Sequence, residues 1–186
     1  MYYILECFSS SNGHKARIEY RDDDPFRFWN AGERLESVPD LPIRARVVTD
    51  KQSMLAELWD TPLPLMTRRL HDVLVAAGVT NLDVYPVILT DSRSGEEITD
   101  YLAFNIIGAI AAADLQATRF APGSTERTIS ADIDSLAIDP AKTRGALMFR
   151  LAEAVNAIIV HEQVKAAVEA SGIGTLTFMS PEDWVG

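Results

Sequence analysis

The side chains best suited to nucleophilic or metal chemistry are few in this 186-residue chain, with three histidines and one cysteine, and their spacing argues against both. His161-Glu162-Gln163-Val164-Lys165 begins as a zinc-protease motif does, but Lys165 stands where a second histidine must lie one turn on, leaving one ligand where two are required. His161 is therefore read as the residue that starts a helix. His14 and His71 lie far apart, no Gly-x-Ser-x-Gly occurs, and Cys7 falls in a strand, so no local triad is visible. Gly13-His14-Lys15 lacks the upstream glycine of a phosphate loop and precedes a strand rather than a helix. Ser171-Gly172-Ile173-Gly174 follows a helix, which makes its glycines a cap and a turn. Without a Cys-x-x-Cys or Cys/His cluster there is no zinc site. The expectation is a protein that is not an enzyme and carries no cofactor and no metal.

The remaining chemistry is acidic. Carboxylates gather at Asp22, Asp23 and Asp24, at Glu96, Glu97 and Asp100, and at Asp132 and Asp134. Three adjacent carboxylates repel one another unless solvated or bound to a cation, and Asp22 to Asp24 lack the alternating ligands and glycine of a calcium loop. A solvated loop is the expectation. If the three groups converge in space, they form a negative field suited to steering a basic protein partner; if not, they are solubilising charges on unrelated faces. A net charge of −10 argues against general affinity for nucleic acid, whose phosphates it would repel. The rival reading is an enzyme or small-ligand protein with a site built from scattered residues, such as Asp22 to Asp24 with His14.

A hydrophobic content of 47% beside 24% charged residues is that of a globular protein, and a chain of this size buries about 70% of its unfolded surface without disulfide support. The single cysteine suits a reducing compartment. Met1 to Phe8 has no basic segment and meets Glu6 early, unlike a signal peptide. Tyr101 to Ala113 is too short to span a bilayer. The expected location is cytoplasmic, with no membrane contact.

These residues must be positioned by a core, and the longest apolar run, Asp100 to Phe120, is its predicted centre: a strand over about 101–110, apolar on both parities and so covered on both faces, by helices on one and by further chain on the other. Around it, Met1–Cys7 and Lys15–Tyr20 read as strands that could form a hairpin. Phe26, Phe28 and Trp29 read as local core or a loop plug. Val38-Pro39-Asp40-Leu41-Pro42 is irregular and precedes a short strand at Arg44 to Val48. Asp50 to Trp59 has a capping aspartate and apolar positions at Met54, Leu55, Leu58 and Trp59, which predicts a short amphipathic helix. Thr67 caps a helix that ends at Gly78, a left-handed position. Leu82 to Thr90 is a strand whose Pro86 implies an edge or a bulge, joined by the turn at Asp91 to Gly95 to an antiparallel neighbour, the central strand. Ile129, Ala131 and Ile133 share one face while Leu136 and Ile138 fall on the other parity, so a bulge is expected near Asp134-Ser135. Ile158 to Val160 is a strand, His161 to Ala170 a helix, Leu176 to Met179 the last strand, and Pro181 to Gly186 a tail. The fold class is α+β: a single domain with a mixed or largely antiparallel sheet and helices packed on it. Residues 1–60 form an N-terminal β-rich region that could stand as a subdomain, and 61–186 the main α+β part.

A shift of 94 residues places Leu65 on Ile159, Leu70 on Val164, Leu74 on Val168, Gly78 on Gly172 and Leu82 on Leu176. Both pieces read as helix, glycine cap, strand, through duplication or through convergence on a common unit.

The ordered series Pro64 to Leu70, Gly78 to Val87, Tyr101 to Gly108, Asp114, Leu136 to Pro140, Phe149-Arg150-Leu151, Ile158 to Val160 and Gly172 to Phe178 resembles the eleventh immunity-protein family of bacterial polymorphic toxin systems. The resemblance covers about Leu55 to Met179. It implies binding and neutralisation of a cognate toxin, and it transfers no residue roles, because the shared positions are mostly apolar, glycine and turn residues. Ala111, Ala112 and Ala113 depart from the family's more polar usage, so this end of the central strand is expected to be buried differently.

Overall fold

A computed structural model describes residues 1–7, 14–24, 27–125 and 131–186. The N-terminal part supplies β1 (Tyr2–Cys7), β2 (His14–Lys15), β3 (Arg17–Glu19), β4 (Ile43–Val48), β5 (Ser53–Met54) and β6 (Leu58–Trp59). Then come β7 (Leu65–Thr67), α1 (Arg68–Ala76), β8 (Leu82–Asp91), β9 (Glu97–Ile98), β10 (Tyr101–Ile106) and β11 (Ala109–Ile110). The chain finishes with β12 (Arg119–Phe120), β13 (Ile133–Ser135), β14 (Met148–Leu151), β15 (Ala154–His161), α2 (Glu162–Ala170), β16 (Leu176–Met179) and a 3-10 turn at Pro181–Asp183.

Two sheets carry the fold. One runs β11-β14-β15-β1-β16; the other runs β3-β4-β8-β10-β7-β6, with β9 also on β8. Both are largely antiparallel, with parallel pairs at β11/β14 and β4/β8. The architecture is mostly β, with two α-helices among the described residues, compatible with the α+β expectation but richer in sheet.

The 94-residue offset is visible in three dimensions. The helices occupy equivalent limits, Arg68–Ala76 and Glu162–Ala170, each follows a strand, and each is capped by its preceding residue: Thr67 Oγ1 accepts from Leu70 N, and His161 Nδ1 accepts from Gln163 N. Gly78 and Gly172 both have positive φ, 97° and 75°, as helix-terminating positions require. In each unit an antiparallel strand is inserted between the strands flanking the helix, β10 between β7 and β8, β1 between β15 and β16. Leu70 and Leu74 of α1 meet Val164 and Val168 of α2 in one core cluster with Phe104, Ile106, Ile158 and Val160. At roughly 1.5–3 kcal/mol for each large side chain fully removed from water, this helix layer is a principal source of cohesion.

The strand β10 is buried at every position. Phe104 and Ile106 face the helices, while Tyr101 and Ala103 face a second cluster with Trp29, Val47, Trp59 and Leu89. It ends earlier than expected. At Gly108 the backbone turns at φ 126°, and Ala109–Ile110 crosses to the other sheet as β11. Ala112 and Ala113 are buried in the third cluster, among Ile4, Ile133, Phe149 and Trp184. The antiparallel pairing of β8 with β10 is as predicted. At Pro86 the partner on the far side has not yet begun, since β4 pairs from Val87 onward, which accommodates a residue without an N–H. The bulge is also present: Arg119 and Phe120 oppose Ser135 and Ile133, so Asp134 is the extra residue. Ile129 lies outside the described residues.

Four expectations are corrected. β1 does not form a hairpin with the next strand; it lies between β15 and β16, while β3 pairs with β4. Asp50 to Trp59 is not helical: Asp50 Oδ1 accepts from Gln52 N and Ser53 N in a tight turn, and Leu58 and Trp59 pair with Met66 and Leu65. Burial of both side chains in the sheet outweighs a weak local preference. The last residues are not a loose tail, because Trp184 is buried, its indole donates to Glu6 Oε1 at 3.0 Å, and Gly186 exchanges both backbone hydrogen bonds with Ile133. Phe28 is neither core nor plug, being 66% exposed.

Candidate partner-binding surface

Between β3 and β4 the chain runs through residues 20–42 without a helix or strand among the described positions. Irregular connections of this length inside a compact fold are uncommon and are usually either functional or linkers. This one is fastened at several points. Trp29 is buried edge-on against Tyr85, with ring centroids 5.7 Å apart. Asn105, fully buried on β10, donates from Nδ2 to Glu33 O at 2.5 Å, and Gly108 N donates to Gly32 O at 2.7 Å. Gly32 has φ 76°, and a Cβ there would lie 2.6 Å from Ala109 N, so glycine is required by both backbone conformation and space.

The deepest fastening is ionic. Arg150 on β14 has no exposed surface. Its Nη2 donates to Asn30 Oδ1 at 2.9 Å and to Asp60 Oδ1 at 2.6 Å, and its Nη1 donates to Asp60 Oδ2 at 3.1 Å and to Val155 O at 3.0 Å. One guanidinium thus ties together the 20–42 segment, the end of β6 and the C-terminal sheet. Such a fork suits arginine and not lysine.

Asp22, Asp23 and Asp24 lie in this segment, and they are not a bare solvated cluster. Asp22 and Asp23 both accept from Arg27 Nη1, and Asp22 Oδ2 also accepts from the Trp29 indole at 3.1 Å. Asp24 Oδ2 accepts from the Ser37 hydroxyl at 2.9 Å. The hydrogen bond from Arg27 holds the Asp23 carboxyl below its usual range. Burial opposes the Arg27 charge, but Asp23 and Asp22 together raise its pKa above the ordinary value. Tyr20 is pushed up to about 12, first by burial and then by the nearby Asp22 charge.

The other two acidic groups lie on other elements. Glu96 and Glu97 sit at the β8–β9 turn, where Glu97 pairs with Arg44 at 3.1 Å, and Asp100 precedes β10, its carbonyl accepting from Arg68 N. Asp132 and Asp134 are exposed on and beside β13. His14 Nε2 pairs with Asp50 at 3.0 Å. Among the described residues no three His, Cys, Asp or Glu side chains gather as a metal site, and no helix is long and apolar enough to cross a membrane.

Two hollows flank Phe28. The smaller, 330 Å³, lies between Phe28, Trp29, Pro62, Pro64 and Val155; the larger, 520 Å³, is lined by Asp24, Glu33, Arg34 and Glu36. Arg27, Phe28 and Ala31 border both. The sequence points to Asp22, Asp23 and Asp24 but not to the rest of this surface, because Arg150 and Asp60 are 90 positions apart and nothing local joins them. The only local signal was the density of aromatics beside three aspartates.

The comparison with known families supplies what the geometry alone does not. The family description "Immunity protein family (Imm11)" matches residues 2–183. The chain belongs to the Imm11 immunity protein family. The match extends over the N-terminal third as well, so the 20–42 segment and its anchors lie inside the Imm11 region. No curated protein matches the chain.

Proposed function

We propose that this Imm11 protein is an immunity protein that binds and neutralises a cognate bacterial toxin in the cytoplasm by occupying the toxin's surface, without catalysis and without a cofactor. The observation that carries the reading is the family match across residues 2–183. The chemistry is in keeping with it: the net charge is −10, and carboxylates are displayed on the 20–42 segment, at Glu96, Glu97 and Asp100, and at Asp132 and Asp134. Such a field accelerates encounter with a basic toxin domain and repels nucleic acid. The 20–42 segment offers a contact surface set in advance by its anchors, which lowers the ordering cost of association.

The test is complex formation between the purified chain and the toxin domain encoded beside its gene, by size-exclusion chromatography and calorimetry. A stable complex is expected. Absence of any complex at micromolar concentrations, with both proteins folded, would defeat the proposal.

A further inference from the structure

The hollows on either side of Phe28 share a wall and differ in chemistry. Phe28, which borders both, is 66% exposed although it is a large aromatic residue. A single exposed hydrophobic residue needs no explanation, whereas one that stands between two hollows beside a charged rim marks a contact surface. The smaller hollow is mostly apolar, with Asn30, Asp60 and Thr61 also in its wall, and its 330 Å³ falls at the lower end of the roughly 300–1,000 Å³ range of ligand pockets. It has room for one or two side chains.

The larger hollow carries a net negative rim. The Arg27 side chain is only 4% exposed and is paired with Asp22 and Asp23. Arg34 lies 3.8 Å from Asp83. Arg27 is thus already matched by carboxylates and Arg34 is loosely paired with Asp83, while among the described residues no ion pair involves the exposed side chains of Glu33 and Glu36. An exposed aromatic face beside uncompensated carboxylates favours a cationic side chain, which stacks on the ring and pairs at the rim.

The geometry points to this pair of hollows as the seat of a basic segment of the cognate toxin, with one apolar side chain in the smaller hollow and an arginine or lysine over Phe28 facing Glu33 and Glu36. The inference rests on the toxin-binding reading above and gives it a location. Phe28 is the central anchor, and Glu33 and Glu36 set charge preference. The segment is held to the core through Asn30, Gly32 and Glu33, so the surface does not have to be ordered on binding.

The experiment measures binding of the toxin domain encoded beside this gene to four immobilised full-length proteins by interferometry across a salt series: wild type, Phe28→Asp, Glu33→Lys with Glu36→Lys, and Asp132→Lys with Asp134→Lys. Circular dichroism and sedimentation of each protein alone report folding and self-association. The expected result is a loss of about 30-fold in affinity for Phe28→Asp, expressed in dissociation rate. The Glu33/Glu36 reversal is expected to lose about tenfold at low salt and less at high salt, and the Asp132/Asp134 reversal to leave dissociation unchanged. If wild type binds and the first two variants bind equally well, the seat is elsewhere and toxin binding stands. If wild type does not bind, the toxin-binding reading fails and this inference falls with it. If Phe28→Asp alters only self-association, the hollows seat a second copy of this chain, which also overturns the proposal.

Discussion

Asp60→Ala should be among the most damaging single changes to this fold, although Asp60 itself is 27% exposed. Its carboxylate satisfies two of the four hydrogen bonds made by Arg150, a residue with no exposed surface. Among the described residues Arg150 Nε already has no partner. Deleting Asp60 leaves a buried cation whose desolvation is no longer offset, a cost of about 3–5 kcal/mol. For a chain of this length each kcal/mol lowers Tm by roughly 2–4 °C, so a fall of roughly 6–20 °C is expected. Arg150→Met should cost less, about 1–2 kcal/mol, since it removes the charge itself, fills much of the volume and leaves Asp60 able to reach water. The informative quantity is the order of the two variants. Urea unfolding followed by circular dichroism, with a common slope, gives both values. Equal or reversed losses, or an Asp60→Ala effect under 1 kcal/mol, would refute the view that Arg150 is a buried charge dependent on Asp60.

Three further outcomes follow from the same structure. Gly78→Ala should destabilise by about 1 kcal/mol, because φ is 97° and the new Cβ would approach Leu147 at 3.2 Å, whereas Gly32→Ala should cost more, since its Cβ would meet backbone at 2.6 Å; thermal melts rank the two, and a milder Gly32→Ala would contradict the anchoring described. Asp23, Asp50 and Asp91 all have lowered pKa values, held by hydrogen bonds from Arg27, from Gln52 and Ser53, and from Ser94 and Arg93 respectively. Depressed carboxyl groups add stability that is present above the ordinary value of about 4 and lost as pH falls through the folded values, while the raised Tyr20, at about 12, adds stability that is lost as pH climbs beyond about 10. Urea midpoints should therefore be level between these limits and fall on both sides; midpoints that rise on acidification would contradict the assignment. Reversing Asp132 and Asp134 to lysine should slow toxin association and flatten its salt dependence, and stopped-flow rates matching wild type would remove this face from the steering field.

Much of the fold was legible in the sequence because the signals were local. Thr67, Gly78, His161 and Gly172 announce helix ends through caps and left-handed glycines, and the offset of 94 residues between the two pairs places the helices at equivalent limits. Tyr101 to Ile106, apolar on both parities, declares a strand covered on both faces. The parity change between Ile133 and Leu136 predicts the bulge at Asp134. What was not legible depends on distant partners. Asp50 to Trp59 has a helical spacing of apolar residues, but Leu58 and Trp59 gain more by pairing with Met66 and Leu65. Pro181 to Gly186 looks like a tail until Trp184 meets Glu6 from the opposite end of the chain. The 20–42 surface is the strongest case, since its shape depends on Asn105, Gly108 and Arg150, and only its acidic and aromatic content can be read locally.

The most direct test of toxin neutralisation is survival. The toxin domain encoded beside this gene is expressed from a tightly controlled promoter in a sensitive host, with this chain supplied from a second plasmid and its soluble level verified. The account predicts that colony counts return close to those of cells without toxin. Killing that is undiminished by an excess of folded protein would contradict it.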